Sequence, residues 1–453
     1  MNRIFKIGAL LCVITLALFI TAPKVSPSFA PIKVVPEVTT YPEDALKIAV
    51  VSDIHQLAPE LRGENEVFET FLNSGDGKLL SHATEILEAL AYTLKIEKPD
   101  ILLVTGDLTT NGERASHLWL KTYFETIEAA GTQVFVIPGN HDINNPFATD
   151  FSSGVQKRVD YISPKDFESI YAQFGYQEAF SKDSSTLSYA VRLSPSLYLI
   201  MLDTADYVSN VPFGFPVMEG AISKGTLEWL QTLKTEVESQ SDTEITFISA
   251  SHHNVLTHSP VHSRGFVVEN AEESMDSLDA LGIKLNFTGH IHIQDIIRTP
   301  DVGFYEIATG SLLQYPQKFG ILEVKSHERS ETPRLEYQTK WVDMAGYATL
   351  INSDDPDLIN FETFSENAFK ASSTNLLGER LGATHTEAEA AAMIDVFNTL
   401  NMRYFAGTDA LDKETMLNHP GYALWLDADI PFLTDCIQSM LLDTDDDNHL
   451  ILE

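Results

Sequence analysis

Short apolar runs at residues 47–52, 101–104, 134–137, 198–202, 245–250 and 284–287 punctuate the first two thirds of the chain. Each is nearly continuous rather than alternating, the pattern of strands covered on both faces. Between them the apolar positions switch to helical spacing. Ile86, Leu87, Leu90 and Leu94 form one stripe, and Leu120, Phe124 and Ile127 form another that stops at Gly131, a residue suited to the C′ position. Strands and helices alternating at this interval predict a layered α/β domain.

The pattern changes near Trp341. Beyond it no comparable strand run is found, and helical faces dominate: Phe361, Phe364 and Phe369, then Met393, Val396, Phe397 and Leu400, then Leu433, Ile437 and Met440. The middle face is introduced by Thr386-Glu387-Ala388-Glu389, a capping box. A smaller α-helical C-terminal domain is expected over residues 341–453, ending in an acidic, solvated tail from Leu441. Asp443, Asp445 and Asp447 are spaced as in a calcium loop, but Asn448 stands where the loop needs glycine.

Charge narrows the partners. With 30 basic against 65 acidic residues, the net charge of −35 repels polyanions and argues against a nucleic acid polymer. A very soluble or halotolerant surface accounts for the same excess. Arg3 and Lys6 precede an apolar run at 7–22, the pattern of an export signal, so the protein is expected to work outside the cytoplasm. Residues 1–30 read as a signal peptide or, because Pro31 follows the small-x-small site Ser28-Phe29-Ala30, as a membrane anchor; an anchor would be the chain's one link to a membrane. Residues 31–44 read as a Pro-rich linker and 45–340 as the main domain. Cys12 lies inside the apolar run, so removal of the signal leaves Cys436 alone. Neither an internal disulfide nor a thiolate metal cluster is then available.

Five segments carry metal-ligand residues directly after predicted strands, where an α/β sheet opens its crevice. They are Asp53-Ile54-His55, Gly106-Asp107, Gly139-Asn140-His141-Asp142, Ser251-His252-His253 and Gly289-His290-Ile291-His292. Singly each is a common loop motif. In sequence, each closing an apolar run, they can converge on one site.

In this order the blocks resemble the calcineurin-like metallophosphoesterases, whose pattern runs D-x-H, G-D, G-N-H-D/E, H and G-H-x-H. Within that superfamily the chain looks most like the class III cyclic nucleotide phosphodiesterases, and like bacterial exported members with a helical C-terminal domain. Residues 71–80 (FLNSGDGKLL), 289–296 (GHIHIQDI) and 404–408 (YFAGT) add to the likeness. The resemblance implies a sandwich of two β-sheets flanked by helices. It also implies that Asp53, His55 and His292 hold one metal, that Asn140, His252 and His290 hold a second, and that Asp107 bridges them. His141 becomes a proton donor near the leaving group, with Asp142 orienting its ring. Asn111 and His253 are expected substrate contacts, with His258, His262, Arg264 and Tyr315 as further candidates.

Imidazole mixed with carboxylate suits two divalent transition metal ions, Mn, Fe, Zn or Co, better than Mg or Ca. Two such ions outweigh the two carboxylates, leaving a cationic spot for phosphate in an anionic protein. Three functions follow. The first is a phosphodiesterase acting on cyclic nucleotides or similar small phosphodiesters through a metal-bridging hydroxide. The others are a phosphomonoesterase or nucleotidase with the same site, and a metal-free scaffold that keeps only the fold.

Overall fold

The computed structural model describes residues 41, 46–73, 77–241, 244–299, 301, 303–325, 332–442 and 446–453. The expected signal or anchor, and the linker apart from Tyr41, lie outside the described residues, as do Asp443 and Asp445. Among the described residues no helix is long and apolar enough to cross a membrane.

In chain order the strands are β1 (Leu46–Val51), β2 (Ile101–Val104), β3 (Gln133–Val136), β4 (Thr149–Asp150), β5 (Lys157–Arg158), β6 (Ser181–Lys182), β7 (Tyr189–Arg192), β8 (Leu197–Leu202), β9 (Thr246–Ser251), β10 (Leu285–Thr288), β11 (Asp295–Arg298), β12 (Tyr305–Ala308), β13 (Lys318–Lys325), β14 (Arg334–Trp341) and β15 (His449–Leu452). They build a six-stranded sheet, ordered β15-β14-β13-β1-β2-β3, and a seven-stranded sheet, ordered β11-β12-β10-β9-β8-β7-β6, with β4 and β5 paired apart. β1, β2 and β3 run parallel in the first sheet, and β8, β9, β10 and β12 in the second. The six expected strands are β1, β2, β3, β8, β9 and β10.

Their near-continuous apolar composition has a direct cause. Leu197, Leu199 and Met201 of β8 point into the core between the sheets, together with Ile48, Leu103 and Phe135. Tyr198, Ile200 and Leu202 point the other way, onto Leu230 and Leu233 of the helix Lys224–Ser239. Both faces are thus dry. The helices Ala83–Glu97 and Arg114–Ala129 bury the two stripes read from the sequence. Gly131 ends the second in a left-handed turn (φ 103°), with Gly131 N–H donating to Glu128 and Thr132 N–H to Ile127, a Schellman closure.

After Trp341 come the expected helices, among them Phe361–Gly382, Glu387–Ala406 and Pro431–Met440. The capping box forms: Thr386 Oγ1 accepts from Glu389 N–H (3.3 Å), and Glu389 Oε2 accepts from Thr386 N–H (2.9 Å). Trp425 is fully buried and donates its indole N–H to Met393 O (2.8 Å).

The solvated tail is corrected. Residues 449–452 form β15, antiparallel to β14, and Asp447 is fully buried. A four-residue strand gains its pairing from a neighbour rather than from its own pattern, so periodicity does not reveal it. Tyr41, inside the expected spacer, is docked as well, its N–H donating to Leu193 O (3.1 Å).

Candidate metal centre

The loops leaving the C-terminal ends of β1, β2, β3, β9 and β10 meet at one edge of the sandwich. Within the first sheet, Asp53 N–H donates to Gly106 O (3.2 Å) and His55 N–H to Asp107 O (2.9 Å). Bonds between the sheets join these loops to those of the second. His252 Nδ1–H donates to Thr105 O (2.9 Å), and His290 N–H donates to Asp53 Oδ2 (2.9 Å).

The backbone here is strained. Asp53, His55, Asp107, His290 and His292 all lie in the left-handed region, φ 43° to 68°, and they are five of the ten non-glycine residues with positive φ among the described residues. Each such residue costs roughly 1–3 kcal/mol, and clustering of that kind marks functional sites. The approach is also close. A Cβ at Gly289 would strike Ser52 Oγ and Asp53 Oδ2, so the glycine before His290 is required for packing.

Two donor groups result, Asp53 with His55 and His292, and Asp107 with His252 and His290. In the first, His292 Nε2 stands 3.2 Å from His55 Nε2 and 3.2 Å from Asp53 Oδ1. In the second, His252 Nε2 stands 3.5 Å from Asp107 Oδ1 and 3.1 Å from Asn140 Oδ1. The other oxygen of Asp107 faces the first group, 3.7 Å from His55 Nε2. All seven side chains expected to hold metal are therefore together.

The fit to metal rests on Asp53. Its Oδ1 is buried and accepts no hydrogen bond, whereas Oδ2 accepts from Ser52 Oγ (2.6 Å) and His290 N–H. A buried carboxylate oxygen without a donor, ringed by imidazole nitrogens, suits a divalent transition cation. Backbone carbonyls fix the rings. Thr105 O takes the Nδ1–H of His252 and Gly265 O takes the Nε2–H of His290 (2.8 Å), which leaves Nε2 of the first and Nδ1 of the second as lone-pair donors.

Electrostatics agree. Burial raises the Asp107 carboxyl, but His252 and His141 more than offset it, and Asp107 sits well below the usual range. Burial likewise opposes a proton on His252, while Asp107 overrides it and lifts the ring to about 9. Burial, with His252 second, pushes His290 down to about 3. The two carboxylates are ionised, and His290, held neutral, keeps a lone pair to offer a cation.

Four of the expected roles need correction. Asp142 does not orient His141. Its carboxylate accepts from the N–H groups of Gly139 (2.8 Å), Leu108 (3.1 Å) and Thr109 (2.9 Å), and so ties the second and third loops together. The ring of His141 is held by Thr110 O, 2.7 Å from Nδ1, and its Nε2 lies 3.9 Å from Asp107 Oδ2. His253 is not at an open surface: it is fully buried, with Nδ1 on Thr204 Oγ1 (2.8 Å) and Nε2 on Met218 O (2.9 Å). His258 is also buried, between Asp295 and Glu306. Tyr315 packs on Phe369 of the helical region, 5.9 Å between centroids.

Asn111 remains half-buried beside His141, its Oδ1 accepting from Asn145 Nδ2 (3.3 Å). His262 packs between Phe266 and Phe432, and Arg264 is exposed. Sequence reasoning missed Thr105, Thr110 and Gly265, because they act through backbone carbonyls that any residue carries.

The His258 cluster gives a pH prediction. Burial disfavours its proton, but Asp295 and then Glu306 prevail and raise it to about 9. A folded-state value above the unfolded one adds stability that is complete below about pH 6.5 and fades as pH rises through about 9. Thermal unfolding from about pH 6 to about pH 10 is expected to show wild type losing its advantage over His258→Gln across that upper window. A gap independent of pH would contradict the ion cluster.

Residues 46–294 match the calcineurin-like phosphoesterase family, and residues 343–447 match the C-terminal domain of cyclic nucleotide phosphodiesterase. A protein of Arcobacter nitrofigilis named probable glycerophosphodiester phosphodiesterase GpdQ is 35% identical over 83 residues, 17% of this chain and 29% of its own length. The chain thus spans less than a third of that relative. Among solved structures, a dimetal phosphatase from Danio rerio aligns at 14% identity and TM-score 0.45, covering 66% of this chain and 96% of that one. A purple acid phosphatase from yellow lupin (Lupinus luteus) aligns at 11% identity and TM-score 0.39, covering 67% and 52%. With the first match running over more than half of its residues and all five sequence blocks on one edge of a two-sheet sandwich, the chain belongs to the calcineurin-like phosphoesterase family.

Proposed function

We propose that this protein is an exported two-metal hydrolase of small phosphodiesters, cyclic nucleotides among them. The observation that carries the reading is the Asp107 carboxylate, with one oxygen toward His252 and the other toward His55. In this reading Asp53, His55 and His292 hold one ion, Asn140, His252 and His290 hold the other, and Asp107 serves both. Divalent ions bound there supply an activated water and an electrophilic clamp on the phosphoryl oxygens. The chain's own contribution is orientation and a proton. With Thr110 O accepting from Nδ1, the half-exposed His141 presents Nε2 toward the crevice, where it can protonate the departing oxygen.

The preference for diesters is supported by the match to a cyclic nucleotide phosphodiesterase domain and by the name of the Arcobacter relative. Export is supported by Arg3, Lys6 and the apolar run at 7–22. The organisation proposed is a catalytic domain over 45–340 and a supporting domain over 341–453, whose last strand, β15, pairs back onto the first sheet.

The purified chain is expected to cleave bis-(p-nitrophenyl) phosphate faster than p-nitrophenyl phosphate, and then to act on 2′,3′- or 3′,5′-cyclic nucleotides with Mn, Fe or Zn. A clear monoester preference would overturn the diester assignment. A chain that binds none of these metals would overturn the enzyme.

A further inference from the structure

The segment Gly289-His290-Ile291-His292-Ile293 alternates between two destinations. His290 and His292 face the two donor groups, one each. Ile291 and Ile293, 8% and 1% exposed, turn away into the apolar core formed by Leu377, Leu381, Met393 and Trp425 of the helices after Trp341. The next residues are tied to the same region by polar contacts. Gln294 donates through Nε2 to Asp447 O (2.7 Å) and through its backbone N–H to Phe405 O (3.4 Å). Asp447 Oδ1 in turn accepts from Ile296 N–H (3.0 Å). Gly407 closes this seat: a Cβ there would meet Gln294 O at 2.7 Å and Asp447 Cβ at 2.9 Å.

We propose that the helices after Trp341 set metal affinity by holding the His290–His292 loop from behind, with Ile293 and Asp447 as the positioning residues. The inference rests on reading the site as a metal centre. Both histidines sit in left-handed backbone that an unsupported loop would relax out of. One loop also serves both donor groups, so a shift of its backbone moves a ligand away from each. The helical region therefore acts on binding of the ions, whatever its effect on substrate choice.

Mn²⁺ titrated into the full chain, with free Mn²⁺ read by electron paramagnetic resonance, tests this directly. Ile293→Ala and Asp447→Ala are each expected to weaken Mn²⁺ binding by roughly ten- to a hundredfold, the usual effect of losing a group that orients a ligand. Asp447→Asn, which keeps an acceptor for Ile296 N–H, is expected to restore most of the affinity. Leu230→Ala is the control, equally buried but packed behind the second sheet; it is expected to lower the unfolding temperature and leave Mn²⁺ affinity unchanged. Should Ile293→Ala not fold, the Asp447 pair carries the comparison. Wild-type affinity in the loop-supporting variants, or an equal loss in Leu230→Ala, would overturn the positioning role. A wild-type chain that takes up no Mn²⁺ would instead sink the reading of the metal centre itself.

Discussion

Replacing Asp107 with alanine is expected to lower phosphoesterase activity by roughly 10³-fold or more, at the upper end of what loss of one electrostatic group does in an active site. The reason is position rather than charge alone. Asp107 Oδ1 faces His252 at 3.5 Å and accepts the His141 N–H at 2.9 Å, while Oδ2 faces His55 at 3.7 Å. Asp107 is grouped with His252 and His290, yet its second oxygen reaches the group of Asp53, His55 and His292. Asp107→Ala should therefore lose both ions in elemental analysis. Asp107→Asn separates fold from function, because the amide oxygen still accepts from His141 N–H but brings no charge. Its unfolding temperature is expected to stay near that of wild type while its activity falls almost as far as in the alanine variant. Two retained equivalents of metal and activity within about tenfold in Asp107→Ala would refute the shared-ligand role.

His141→Ala is expected to keep its metals and lose roughly 10²- to 10⁴-fold in kcat, the range for removal of a general acid. The size of the loss should depend on the leaving group. p-Nitrophenolate departs readily without a proton, so the deficit on bis-(p-nitrophenyl) phosphate should be the smaller one. A ribose alkoxide needs protonation, so the deficit on a cyclic nucleotide should be larger. If His141 only braced Asn140 or the loop, both substrates would suffer alike and metal content would fall in step. Asp142→Asn makes a useful contrast. Its carboxylate holds the N–H groups of Gly139, Leu108 and Thr109, and burial with Asp107 nearby raises it to about 7. Its loss disturbs two loops rather than one proton.

The six continuous apolar runs were legible as strands because the sandwich buries both faces of β1, β2, β3, β8, β9 and β10. β14 was not. Leu335 and Tyr337 are buried while Gln338 and Trp341 are exposed, and so mixed a surface breaks up any apolar run. β15 is shorter still and leans on β14. At the site, residue types and their order after strand ends were enough to bring Asp53, His55, Asp107, Asn140, His252, His290 and His292 into one set, since strand direction delivers every following loop to the same edge. Ring orientation was not legible. His253 and His141 are both histidines next to a proposed ligand, yet Thr204 and Met218 capture one while Thr110 turns the other toward the crevice. Such choices depend on carbonyl directions, which side-chain patterns do not encode.

The pairing of β14 with β15 also orders events in time. A ribosome releases β14 about a hundred residues before β15, so the first sheet stays open along β14 while the intervening helices are made. An open edge invites pairing with a neighbouring nascent chain. Arg334, Glu336 and Lys340 along β14 are charges of the kind that discourage it, keeping the edge soluble until its own partner arrives.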